Sequence, residues 1–147
     1  SYSQKNDILL MVLKKDQVNK TFLFDSSSEK DGLYKSYITY LGPVNANNKV
    51  LKIVTQKNIW GSNQHTSGII YIYDNKNQYV GKYSLGSGFD LPIKIQKSYL
   101  IFTNEYKKDC DPNLTTTIDF SMEIPQIIFL KCKGEHGDVY SFPIEKD

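Results

Sequence analysis

The side chains that could do chemistry are few and far apart. The two histidines are His65, in Gly61-Ser62-Asn63-Gln64-His65, and His136, in Gly134-Glu135-His136-Gly137-Asp138. Neither stands in an H-E-x-x-H or H-x-H pattern. A catalytic zinc site usually draws three protein ligands, so either histidine would need a carboxylate such as Glu135 or Asp138 as well. No metal site is expected, and both histidines read as loop residues. Asp109, Asp111 and Asn113 repeat oxygen ligands as a calcium loop begins, but Leu114 and Phe120 stand where its glycine and bidentate glutamate belong.

Nucleophile and phosphate patterns fail too. Gly86-Ser87-Gly88 lacks the G-x-S-x-G frame of a strand-to-helix elbow. Gly81-Lys82 with Ser84 lacks the glycine spacing of a phosphate loop. A cysteine–histidine pair needs free thiols at Cys110 or Cys132. The expectation is a protein that is not an enzyme and carries no cofactor. A hydrolase assembled from distant residues, such as His65 or His136 with Asp138, is the third-ranked reading.

Charge narrows the partners. The chain has 147 residues, with 18 basic against 16 acidic side chains, and every basic one is lysine. Without arginine it lacks the planar fork that reads guanine edges and phosphates bidentately, and the lysines form no stripe. Nucleic acid is therefore not an expected partner. The abundance of Lys, Asn, Ile and Tyr matches A/T-rich codons and a low-GC genome.

Eleven Tyr, seven Phe and one Trp exceed what a small core needs. In the run Gly68–Tyr73, Ile70 and Ile72 are expected to point inward, leaving Tyr71 and Tyr73 on the outer face. Trp60 leads a loop of small amides and hydroxyls that ends in His65. Trp60, Tyr71, Tyr73 and His65 are thus the candidate binding face, since aromatic side chains bury a large area while losing few rotamers. A protein partner is the leading expectation, with an inhibitor or immunity-like role in view, and a glycan is the alternative.

Those residues must be positioned by strands. Short apolar runs rich in β-branched and aromatic residues alternate with Asn/Asp/Gly/Ser clusters roughly every 8 to 14 residues, the signature of a sandwich or barrel. The expected strands are Ile8–Leu13, Lys20–Phe24, Leu33–Leu41, Lys49–Gln56, Gly68–Tyr73, Gln78–Ser84, Leu91–Gln96, Tyr99–Asn104, Thr115–Phe120, Gln126–Cys132 and Asp138–Ile144. Alternation sets Leu91, Ile93 and Ile95 on one face, as it does Ile118 with Phe120, and Tyr140 with Phe142 and Ile144. Asp74-Asn75-Lys76-Asn77 is a tight turn in which Asn77 tolerates the left-handed conformation. The continuous run Ile8–Leu13 fits a strand buried on both faces, or a short helix capped by Asp7; the strand is preferred. The fold expected is all-β, a single-domain antiparallel β-sandwich over residues 8–147 with at most a short helix; a flattened barrel is the alternative. Residues 1–7 read as disordered, or as a remnant of a signal peptide or an added leader.

Folding Thr115–Phe120 antiparallel onto Gln126–Cys132 brings Leu114 opposite Cys132 and puts a Cys110–Cys132 disulfide within reach. Such a bridge implies an oxidising compartment and so an extracytoplasmic location: periplasm, cell surface or secreted. No run approaches the ~18 apolar residues of a spanning helix, so no membrane span is expected.

Overall fold

The computed structural model describes residues 2–143, with side chains from Asp7 onward. Five strands form an antiparallel meander in chain order: β1 (Thr21–Asp25), β2 (Tyr34–Ala46), β3 (Lys49–Trp60), β4 (His65–Asp74) and β5 (Tyr79–Leu85). The turns are built from residues that accept positive φ. Asn47 and Asn48 (φ 47° and 64°) join β2 to β3, and Asn77 (φ 62°) closes the β4–β5 turn as its residue type predicts. There the Asp74 carboxylate accepts the N–H groups of Lys76 and Gln78 at 2.8 and 2.9 Å.

A second layer is made of two smaller antiparallel sheets. One joins β6 (Lys94–Gln96), β7 (Tyr99–Thr103) and β8 (Thr115–Asp119); the other joins β9 (Ile127–Lys133) and β10 (His136–Ser141). Between the layers lies the main core, with Ile53, Ile70, Ile72, Tyr83, Phe120 and Ile128 fully buried. Ile70 and Ile72 point inward as their alternation requires, and Ile118, Phe120, Tyr140 and Phe142 turn toward the same core. Ile144 lies outside the described residues. The architecture is all-β and sandwich-like. The large sheet stays open from β1 to β5 among the described residues, which rules out the flattened barrel.

Three local expectations are corrected. The run Ile8–Leu13 is not a strand but the centre of α1 (Tyr2–Lys15). Leu9, Val12 and Leu13 recur at helical spacing and are buried, while Met11 is exposed. Lys14 and Lys15 occupy the last turn, where the helix dipole favours cations, and Asp16 takes a left-handed φ of 53° just beyond it. Next, only Lys94–Gln96 of the run 91–96 is strand, so the alternation expected at Leu91, Ile93 and Ile95 breaks: Pro92 is buried and Ile93 exposed. Last, β8 and β9 do not pair with each other, because β8 pairs with β7 and β9 with β10.

The disulfide nevertheless forms between Cys110 and Cys132, with Cα atoms 4.5 Å apart. Side-chain and loop bonds replace the missing ladder. The Asn104 amide donates to the carbonyls of Lys131 and Cys132 at 2.9 and 3.2 Å and to that of Asp111 at 3.1 Å. The Asp111 N–H donates to the Cys132 carbonyl at 2.7 Å.

Candidate functional site

The outer face of the large sheet is where aromatic and polar side chains meet. Side chains alternate along β3, so Val54, Gln56, Asn58 and Trp60 share this face. The antiparallel register sets Tyr40, Ile38, Ser36 and Tyr34 of β2 beside them, and Tyr71, Ile69, Ser67 and His65 of β4 on the other flank. Along one face the chain thus runs from an apolar, tyrosine-rich end to a polar one that finishes in Tyr34, Trp60 and His65.

Helix α1 decides which end is available. Leu9, Val12 and Leu13 form a second core with Ile38, Tyr40, Val54, Ile69, Tyr71 and Tyr73. Tyr71 and Tyr73 are therefore buried, at 4% and 1% exposure, and not on an open face as their alternation suggests. Both turn away from Ile70 and Ile72 as expected, but the side they turn to is roofed. Burial pushes the Tyr71 phenol well above its ordinary range, and its hydroxyl has no hydrogen-bond partner among the described residues.

Beyond the helix the sheet keeps a recess of about 590 Å³. Its floor holds Ser36, Ile38 and Gln56, its helix side Ile8, its outer side Phe24 and Ser26, and its mouth Asp31, Leu33, Tyr34 and Trp60. The floor carries an unusual feature. Gln56 lies in register between Ile38 and Ile69 and is only 4% exposed. Its Nε2 donates to Asn58 Oδ1 at 2.8 Å, and Ser36 Oγ donates to the same oxygen at 2.7 Å. Asn58 in turn donates to Ser67 Oγ at 3.3 Å. The amide is thereby oriented, and Gln56 Oε1 has no donor among the described residues. A buried acceptor without a donor costs about 1–3 kcal/mol, and most buried polar groups in folded proteins are paired.

The mouth is held by local bonds. Trp60 and His65 face each other in register at the open end of the β3–β4 hairpin, their ring centroids 5.9 Å apart, and Trp60 is 37% exposed. Gly61 (φ 79°) and Gln64 (φ 51°) supply the positive φ angles of that tip, and the Gly61 N–H donates to the Leu33 carbonyl at 3.2 Å. Tyr34, exposed beside Trp60, is fixed at its backbone: its N–H donates to Ser27 Oγ at 2.9 Å and its carbonyl accepts the Ser26 N–H at 2.9 Å. The hydroxyl and the N–H of Ser27 hold the Asp25 carboxyl below its usual range. The Ser28 hydroxyl accepts the Asp31 N–H at 2.9 Å.

Of the residues singled out by sequence, Trp60 and His65 come together at this mouth, whereas Tyr71 and Tyr73 lie under the helix. Sequence reasoning missed Tyr34, Ser36, Gln56 and Asn58. The signal was present in the alternation Val54, Gln56, Asn58, Trp60, which continues β3 past Gln56 and puts two amides on the same face as Val54. The remaining candidates fall elsewhere. His136 opens β10 and His65 opens β4, so neither is a loop residue. The disulfide removes both thiols from any cysteine–histidine pairing. The Asp111 carboxylate accepts the Asn113 N–H at 2.9 Å, closing a local turn, and no group of three or more His, Cys, Asp or Glu suits a metal ion among the described residues.

One buried charged cluster stands apart from the recess. Asp90, in the 3-10 turn Gly88–Asp90, accepts the Tyr140 hydroxyl on Oδ2 at 2.7 Å, and the Lys107 ammonium lies 2.5 Å from Oδ1. The Tyr140 oxygen also accepts the Gly86 N–H at 3.2 Å. Burial first, and the bond to Asp90 second, raise the Tyr140 phenol. These groups tie β10 and the segment after β7 to the end of β5. Their charged and polar groups face one another, so the cluster reads as a brace. The recess, by contrast, presents amides, hydroxyls and flat rings, with the Asp31 carboxylate at its mouth, groups that can hold a ligand by hydrogen bonding and stacking.

Comparison of the chain with protein-family models, with curated proteins and with solved structures finds no match.

Proposed function

We propose that the protein is a non-enzymatic binding domain that works outside the cytoplasm and that its contact surface is the recess at the Trp60 end of the large sheet. The observation that carries this reading is the buried Gln56 Oε1, without a donor among the described residues, in the floor of a recess rimmed by half-exposed Trp60 and Tyr34. A ligand that supplies a donor there removes a penalty the free protein bears, and the aromatic rim adds area at little entropic cost. The disulfide supports the oxidising location.

A protein partner at a different surface is favoured by one observation. Ile127, Phe129 and Val139 are exposed on β9 and β10, and Phe129 and Val139 sit directly opposite each other. The two surfaces are separated by probing arrays of polysaccharides and of extracellular proteins with the wild type, Trp60→Ala and Val139→Asp. The recess reading expects a partner bound by the wild type and by Val139→Asp but lost in Trp60→Ala. Binding that survives Trp60→Ala and disappears in Val139→Asp, or turnover of the bound partner, overturns it.

A further inference from the structure

On the reading that the recess is the contact surface, we infer that its occupant is an uncharged saccharide, one ring face lying on Trp60 and a hydroxyl donating to Gln56 Oε1. Four observations converge on this ligand. The first is the acceptor. Gln56 Oε1 has no donor among the described residues while its own Nε2 is committed to Asn58; it is sealed from solvent in the free protein, so an O–H or N–H entering the recess completes it once the side chains over it shift.

The second is the platform. Trp60 presents a half-exposed ring at the mouth, set beside His65. The electron-rich face of an indole suits the weakly positive C–H groups on one side of a pyranose. The third is charge. Among the described residues Asp31 is the charged one lining the recess, and a carboxylate at the mouth opposes uronic acids, sulfated sugars and acidic peptides. Among the described side chains no lysine lines this recess.

The fourth is shape. At about 590 Å³ the recess falls within the roughly 300–1,000 Å³ of small-ligand sites. A globular protein partner needs about 800 Å² of matching surface on each side, more than one short recess offers. Apolar Ile8, Phe24 and Ile38 line the recess together with the polar groups of Ser36 and Gln56, a mixture that suits the two-sided chemistry of a sugar ring. An extended peptide added along the outer edge of β1 is the competing occupant, and it is an outcome of the test.

Trp60 is the single tryptophan, so its emission reports on this recess alone. The oxidised, full-length chain is titrated with neutral oligomers of glucose, mannose and N-acetylglucosamine, with oligogalacturonate, and with a neutral extended hexapeptide. Each titration is repeated with Gln56→Leu, Trp60→Phe and Trp60→Ala, whose folding is checked by thermal unfolding. The expected result is a shift in Trp60 emission with at least one neutral oligosaccharide and not with oligogalacturonate. By calorimetry, that affinity falls at least tenfold in Gln56→Leu, is retained within a few-fold in Trp60→Phe and is lost in Trp60→Ala. Silence of all neutral oligosaccharides overturns the saccharide inference. If the hexapeptide, or a protein from the arrays, then shifts Trp60 emission, the recess reading stands and only the ligand class falls. If saccharides bind with unchanged Trp60 emission and unchanged affinity in Gln56→Leu, both readings fall together.

Discussion

Replacing Asp90 with Asn keeps the shape of the side chain and removes its charge, which leaves the Lys107 ammonium without its partner. Asp90 is buried and Lys107 is 14% exposed, so little water can take the place of the carboxylate. Breaking a buried pair by removing one member costs about 3–5 kcal/mol, and the residual exposure of Lys107 places this case at the lower end. The Tyr140 hydroxyl also exchanges a charged acceptor for a neutral one, a loss of about 1 kcal/mol. The expected destabilisation is about 3–4 kcal/mol, equivalent to a fall in Tm of about 10 °C for a chain of this size. Urea unfolding of the oxidised protein at neutral pH, followed by tyrosine circular dichroism, measures it. The double variant Asp90→Asn with Lys107→Met removes the stranded ammonium and is expected to regain about 2 kcal/mol. A single-variant loss below about 1 kcal/mol, or a double variant no more stable than the single, refutes the view that this cluster braces β10 against the end of β5.

Two further outcomes follow from named contacts. Tyr71→Phe deletes a buried hydroxyl that has no partner among the described residues and keeps the ring that fills the space under α1; stability is expected to rise by about 1 kcal/mol in the same urea assay, and a loss of that size would mean the hydroxyl is bonded in solution. Asp25 has a folded-state pKa below the ordinary 3.8, so its stabilisation of the loop after β1 is present above that value and is lost as pH falls through the lower, folded pKa. The Ser27 amide resonance should therefore titrate with a midpoint below 3.8 and stop titrating in Asp25→Asn. A midpoint at or above 3.8 contradicts the bonds assigned to that carboxylate.

Much of the fold is written in local pattern. Alternation along Gly68–Tyr73 and Tyr140–Phe142 places the inward side chains because a strand's side chains must alternate, whatever lies on either side. Asn77 marks its turn for an equally local reason, its tolerance of positive φ. The run Ile8–Leu13 defeated the same reasoning because six consecutive apolar residues satisfy a two-sided strand and a helix alike. The run Ile69–Tyr73 is also apolar on both faces, and that was the sign that the outer side of β4 is covered, here by α1. Alternation with Ile70 and Ile72 puts Tyr71 and Tyr73 on the opposite face but carries no information about what covers that face.

The amino-acid order alone settled most of the alternating strands, the residue types at the turns and the lack of arginine for reading nucleic acid. It did so because each depends on neighbours within a few residues or on composition. Only the assembled molecule decided that a helix roofs one half of the outer sheet face and leaves the other half recessed. That division leaves Gln56, without a donor among the described residues, in the floor of the recess whose mouth holds Trp60, and it follows from how α1 packs across strands that lie tens of residues away in the chain.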